Sequence, residues 1–501
     1  MNKAFKTVGF MFIMILLSKV LGQAREMIIA AVYGTGDAAN AFYAASTLPL
    51  NLFDIVFASS VSSAFIPVYN TYIEEKGVEE GDRFASSFIN TVFLISFVLC
   101  VILMICASPL VGIIAKGLTG EAKVLAESLT VIMMPVILFA CLTFSCVGIL
   151  QSKGEFNIPA VISLVSNGAV IIYLLFLNDK FGIKGLAVSL VIGWILQFAV
   201  QLPAIKKVGF RYNIKALYHE GLKDVVKLAL PVLIGTWIQP ISNIINTSFA
   251  SGIDGGISAL NYASKLYLIV SAVFTVSVTN YIFPKLSRQS AASEGDEYKE
   301  TLKSSLTVIL LVLIPVCALM LALHKPVIEI IYMRGEFNGE ALRLTSGAFM
   351  YYSMGIVFYG VLDLLNKAFY ARKNSIIPAV VALVAIGLNF IFSFILKKYM
   401  GLYGLSLSTT LVYVFMSVTL FILLNRQVHF FGKKEFIFIL RLAFYGALSY
   451  IVSVSLFNII PFDDGLILKI IKTGTAALAG ITVYGILVLI FHRKELLHGK
   501  D

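Results

Sequence analysis

Runs of about twenty apolar residues recur along the whole chain, and no other feature limits its fold as much. A helix of that length crosses the hydrocarbon core of a bilayer, where every backbone N–H and C=O must be bonded within the segment. Fourteen such runs are set off by glycine, proline and charge clusters, near 8–33, 38–72, 84–108, 124–150, 157–178, 184–205, 224–252, 257–284, 304–323, 340–370, 376–396, 403–424, 436–458 and 470–491. The expected fold is therefore an all-α polytopic membrane protein of about fourteen transmembrane helices. Pro49 should kink the second span, and Pro231 and Pro240 the seventh. With 59% hydrophobic and 13% charged residues, a water-soluble fold could not hide its apolar surface. A cytosolic enzyme, a secreted disulfide scaffold and a disordered chain are excluded together.

The net charge of +11 would suggest nucleic acid in a soluble protein. In a polytopic chain the first explanation is topological, because Lys and Arg collect in cytoplasmic loops. With the N-terminus inside, alternate loops hold 22 basic residues against 9, which supports cytoplasmic N- and C-termini and leaves no call for a nucleic-acid partner. The N-terminal stretch lacks a small-residue cleavage site and reads as a retained first span. Cys100, Cys106, Cys141, Cys146 and Cys317 are scattered through apolar runs, and the five histidines fall in loops or the tail. That pattern gives no disulfide frame and no metal site. No loop exceeds about 20 residues, so there is no extramembrane domain to hold catalytic groups. No catalytic residue is expected, and the chain reads as a transporter rather than an enzyme, most simply a monomer.

Residues 158–190 align without a gap on 377–409, with 13 of 33 positions identical, among them Pro159/Pro378, Gly168/Gly387, Gly182/Gly401 and Gly185/Gly404. Six spans separate the partners. An even number preserves orientation, so the halves are parallel repeats about an axis along the membrane normal. Two six-helix lobes, 1–215 and 216–430, are expected, followed by two additional helices and a cytoplasmic tail over 431–501. Such architectures transport by rocking one lobe against the other.

Ionisable residues at membrane depth are costly and face a bundle interior or a cavity. The first span holds Lys19, Gln23, Arg25 and Glu26. At 100° per residue Lys19, Gln23 and Glu26 fall within about 60° of one another, and Arg25 about 120° from Lys19. Glu26 can serve as a neutralising partner. Asp54 lies in the second span and Lys265 in the eighth, while Asp363 and Lys367 in the tenth have the i, i+4 spacing of a local ion pair. Arg441 and Lys472 lie near span ends, where long side chains snorkel. Lys19, Arg25 and Lys265 together would line a cavity that attracts an anion, most economically a phosphate or diphosphate head group. The residues alone also admit an ion-coupled small-molecule antiporter, using Asp54, Asp363 or Glu26, or a membrane scaffold or enzyme of envelope assembly.

The stretches SKVLGQAREMIIAAVYGTGDAANAFYAASTLP (18–49) and AFIPVYNTY (64–72) resemble the opening of the MurJ/MviN family of lipid II flippases, within the multidrug/oligosaccharidyl-lipid/polysaccharide exporter superfamily. LQSKGEFNIPA (150–160), YASKL (262–266), FPKLSR (283–288) and AFYARKNSIIP (368–378) extend the similarity over most of the chain. The resemblance implies movement of an undecaprenyl-diphosphate-linked peptidoglycan precursor from the inner to the outer leaflet of the bacterial cytoplasmic membrane by alternating access. Its partners would be that lipid-linked diphosphate, the bilayer and other cell-wall assembly proteins. It places the family's basic residues on Lys19, Arg25 and Lys265, adds Gln23, Glu26, Asn40 and Asp54 to the substrate-facing set, and leaves the prenyl tail in a lipid groove. It implies no bound cofactor; coupling would be to sodium, protons or the membrane potential, with Asn389, Ser393 and Thr409 as the candidate ion-binding residues. The chain departs from the family pattern in places. Phe53 and Asp54 stand where arginines are common, Asn40 replaces an acidic residue, and Lys replaces Arg at 19 and 265. A less basic cavity keeps another lipid-linked polysaccharide precursor open as the cargo.

Overall fold

A computed structural model describes residues 3–291, 295–461 and 465–497. Among them every regular element is helical, as backbone self-sufficiency in lipid requires. The chain divides into two compact units, Met1–Ser258 and Ala259–Asp501.

In the first unit α1 (Lys3–Tyr33) precedes the second span. That span is built from α2 (Asp37–Ser46), α3 (Asp54–Ser60) and α4 (Ile66–Lys76), joined by π-helical stretches over Thr47–Phe53 and Val61–Phe65. Pro49 lies in the first of these, which is how the ladder absorbs the missing N–H. Then come α5 (Val78–Ile105), the short α6 (Ala107–Ile114), α7 (Gly120–Met133), α8 (Val136–Ser152), α9 (Asn157–Phe176), α10 (Asn178–Ala199) and α11 (Leu202–Lys207). The seventh span is two helices, α12 (Gly221–Thr236) and α13 (Ile238–Ala250), parted at Trp237 just ahead of Pro240. Phe65 anchors the packing of α4, α5 and α8, with ring centroids 4.6 Å from Phe88 and 5.7 Å from Phe84. Gly148 makes room for it, since a Cβ there would sit 2.6 Å from the Phe65 ring.

Loop contacts in this unit sort into two ends, as alternating spans demand. At one end the buried Asp82 accepts hydrogen bonds from Tyr69 Oη (2.6 Å) and Arg211 N (3.0 Å) and pairs with Lys153 (3.1 Å). At the other, Gly117 N donates to Ser251 Oγ (2.8 Å), and Asn40 Oδ1 accepts from Ser258 N and Oγ (3.0 and 2.8 Å).

In the second unit α14 (Gly256–Ala291), which begins at the boundary, is followed by α15 (Gly295–Ala322), α16 (His324–Tyr332), α17 (Gly339–Ser353), α18 (Ile356–Ala371), α19 (Ile376–Met400), α20 (Leu402–Val428), α21 (Lys433–Ile459) and α22 (Leu466–Leu497). The repeat is visible at its glycines. Gly182 (φ 55°, ψ −150°), which kinks α10 near its start, and Gly401 (φ 58°, ψ −129°), which parts α19 from α20, share a positive φ that favours residues without a Cβ. Three residues later a Cβ on Gly404 would meet the Leu396 carbonyl oxygen at 2.3 Å, whereas Gly387 faces open space. Gly404→Ala should therefore cost about 1–3 kcal/mol through overpacking, and Gly387→Ala should be neutral or stabilise by up to about 1 kcal/mol. Thermal melts in detergent would compare the two.

Length and apolarity qualify ten helices as spans among the described residues, or eleven when α17 and α18, bent by 45°, count as one. The three expected spans outside that set are the first, seventh and eighth. α1 carries Lys19, Arg25 and Glu26, α14 carries Lys265, and α12–α13 is broken. Large apolar side chains stand outward elsewhere, such as Leu94, Ile95, Phe97 and Ile102 on α5, a surface suited to lipid.

Candidate functional site

Ser18, Gly22 and Arg25 recur at i, i+4 and i+7, so they share one stripe of α1, and that stripe meets α9. Arg25 Nη1 donates to Asn167 Oδ1 at 2.9 Å, and Asn167 Nδ2 reaches Ser18 O at 3.4 Å. A Cβ on Gly22 would meet the Asn167 amide at 3.6 Å, an ordinary contact. The other Arg25 nitrogen, Nη2, pairs with Glu26 Oε1 at 2.7 Å, and Glu26 Oε2 accepts from Tyr43 Oη on α2, also at 2.7 Å. Glu26 is only 3% exposed. Arg25, expected to present open positive charge, is instead neutralised by its neighbour and clamps α1 to α9, while Glu26 ties α1 to α2. A buried carboxylate keeps its charge only when matched in this way.

Lys19 is placed differently. It is exposed and lines a cavity of about 480 Å³ between α1, α8 and α9, together with Ser18, Gln151, Ser163 and Asn167. Among the described residues no ion pair forms on it. The rest of the lining is apolar, with Met11, Ile15, Phe144, Val147 and Phe156 among it, and the ammonium supplies a point charge for an anionic group, with hydroxyls and amides beside it for further hydrogen bonds.

The remaining candidates lie elsewhere. Asn40 is buried in the tie to Ser258, its Nδ2 bonded to Thr35 O at 3.3 Å. Gln23 is half-buried on α1, and the side chain of Asp54 lies outside the described residues. Lys265 is half-buried on α14 in the second unit, between the buried Tyr262 and Tyr267. Of the ion-binding set, Ser393 Oγ meets Ser408 Oγ at 2.8 Å and Thr409 Oγ1 bonds to Leu405 O at 3.3 Å. Asn389 is fully buried with neither amide atom hydrogen-bonded. Asp363 and Lys367 form the expected i, i+4 pair at 3.1 Å, and Thr279 of α14 bonds to both. Arg441 is exposed, but Lys472 is buried with its ammonium 4.6 Å from the Phe457 ring centroid, so a cation–π contact replaces the expected snorkelling.

Two residues of the network were not expected from sequence. Asn167 carried a signal, because it stands in the repeat where the second copy has the apolar Ile386. Tyr43, in an unremarkable AFYAAS run, carried none. The second unit adds an apolar groove of about 790 Å³ between α15, α18, α20 and α21, lined by residues such as Leu310, Ile314, Phe358 and Phe421.

The sequence model of the family described as "Lipid II flippase MurJ" matches residues 29–469. The lipid II flippase MurJ of Burkholderia cenocepacia is 28% identical over 422 residues, 82% of each chain. A probable lipid II flippase MurJ of Rhizobium tropici is 28% identical over 485 residues, 94% of this chain and 89% of that one. Among solved structures, a lipid II flippase MurJ in an inward closed conformation superposes with a TM-score of 0.82 at 27% identity, covering 97% of this chain and 99% of the other. An inward-facing multidrug resistance MATE family transporter of the MOP superfamily superposes at 0.68 with 14% identity, over 82% and 94% of the two chains, and shares the fold.

Proposed function

The chain belongs to the MurJ lipid II flippase family, a multi-pass bacterial inner-membrane protein and not an enzyme, and from that premise we propose that it moves lipid II between leaflets with Lys19 as a contact for the diphosphate. The observation that carries this reading is the Lys19 cavity, a basic side chain with a few hydroxyls and amides beside it in a mostly apolar lining. Lys265, on α14 of the second unit, is the other basic residue that the family resemblance assigns to the substrate. The apolar groove of the second unit has, taken by itself, the chemistry of a lipid chain.

With both termini cytoplasmic, as the basic loops favour, the ties of Gly117 to Ser251 and of Asn40 to Ser258 lie at the outer end. Rocking of lobes 1–215 and 216–430 would have to part them. The retained charge at 19 and 265, without the planar fork of arginine, suits a diphosphate held loosely enough to leave.

The test is rescue of a bacterium depleted of its own lipid II flippase. Growth restored by this gene is the expected result. No growth at normal protein level, with restored export of a different lipid-linked polysaccharide in a strain lacking that exporter, would transfer the function to the other cargo.

A further inference from the structure

The segment joining α11 to α12 is irregular but held in place. Asn90 of α5 donates its amide to Asn213 O (3.1 Å), Ile214 O (3.2 Å) and Ala216 O (2.9 Å), and its Oδ1 accepts from Tyr212 Oη (2.5 Å). Thr91 Oγ1 donates to Leu217 O (3.3 Å), Ser86 Oγ accepts from Asn213 N (3.0 Å), and Asp82 accepts from Arg211 N. Ala216 and His219 tuck inward, His219 against Glu80 at 3.0 Å.

What the segment turns outward is unusual for a loop. Tyr212, Ile214, Leu217 and Tyr218 are all more than half exposed, Ile214 to 72%. Lys206, Lys207, Arg211, Lys215 and Lys223 are exposed among them, against the acidic Glu220 and Asp224. The tether to Asn90 and Thr91 sets the depth. On the same helix the outward apolar band begins at Phe93 and Leu94, less than one turn further on. Apolar and aromatic side chains at this level sit where hydrocarbon meets head groups, and the basic side chains beside them lie among lipid phosphates.

We infer that 206–223 is an interfacial anchor that recognises the anionic phospholipid head groups of the leaflet it borders. Charge complementarity selects the lipid, since each basic residue near such a surface adds attraction that a zwitterionic head group does not supply. The Asn90 clamp orders the segment beforehand, so little conformational freedom is lost on binding. The site is separate from the Lys19 cavity and stands whether or not lipid II is the cargo.

The chain has only two tryptophans, Trp194 and Trp237, which permits a direct test. In the full chain with both changed to Phe, Ile214→Trp places a single reporter on the segment. The protein is reconstituted in phosphatidylcholine vesicles containing phosphatidylglycerol, with the bromine on the acyl chains of one lipid or the other. Brominated phosphatidylglycerol should quench the reporter severalfold more than brominated phosphatidylcholine at equal mole fraction. Neutralising Lys206, Lys207, Arg211 and Lys215 to Gln should erase that preference while leaving quenching by phosphatidylcholine in place. A second reporter, Phe93→Trp, should show little preference in either background. Equal quenching by both lipids with the charges intact would overturn the assignment. So would absence of quenching by either, which would leave the segment in water or facing another protein.

Discussion

Glu26→Ala is expected to remove most of the folded protein from the membrane. Its carboxylate is buried and accepts from both Arg25 and Tyr43. Without it a largely buried guanidinium has no counter-charge and a buried tyrosine hydroxyl loses its acceptor. Breaking one side of a buried pair costs about 3–5 kcal/mol, a large part of the roughly 5–15 kcal/mol that stabilises a typical domain. Glu26→Gln should fall between, since the amide can still accept from Tyr43. The double variant Arg25→Met/Glu26→Met should be more stable than Glu26→Ala, because it removes the stranded charge along with the pair. Melting of detergent-purified protein reads all three. A Glu26→Ala protein that melts with the wild type would show that Arg25 does not depend on this carboxylate.

Lys19→Ala should act in the opposite way, leaving melting unchanged and lowering transport by about 10- to 100-fold. That range is the loss of one charge-assisted hydrogen bond worth roughly 1.5–3 kcal/mol. An exposed lysine on a cavity wall holds no other element in place, so the fold has nothing to lose. Lys19→Arg should retain function, since the guanidinium keeps the charge and adds a planar fork for phosphate oxygens. Arg25→Ala should lower both folded protein and transport, through the clamp to Asn167 and Glu26. The two basic residues of α1 thus separate by readout. If Lys19→Ala melts early in proportion to its lost transport, the cavity wall is structural and the assignment to substrate fails.

Much of the fold was legible in the sequence because lipid imposes one solution on the backbone. Apolar runs became helices, and Gly182 and Gly401 marked equivalent breaks in the two repeats. Side-chain pairing was less legible. Helical spacing grouped Lys19 with Gln23 and Glu26 and set Arg25 apart. A guanidinium on a long stem nevertheless reaches an adjacent residue's carboxylate, and the partner that fixes it, Asn167, is 142 positions away. Asn40 shows the same limit, since only the tertiary fold brings it to Ser258. The snorkelling expected of Lys472 failed because an aromatic ring lay within reach. The fourteen expected spans exceed the helices that qualify by length and apolarity at α1, α12–α13 and α14, where charge or a break interrupts the apolar pattern.

The measurement that bears most directly on the account is the exposure of lipid II at the outer surface of cells depleted of their own flippase. An external enzyme or ligand that reads only the outer leaflet would quantify it. Cells expressing this chain should show precursor outside at near-normal levels, and cells expressing equal amounts of folded Lys19→Ala protein should accumulate it inside. Equal exposure from the two proteins, or none from either at normal expression, would contradict the account.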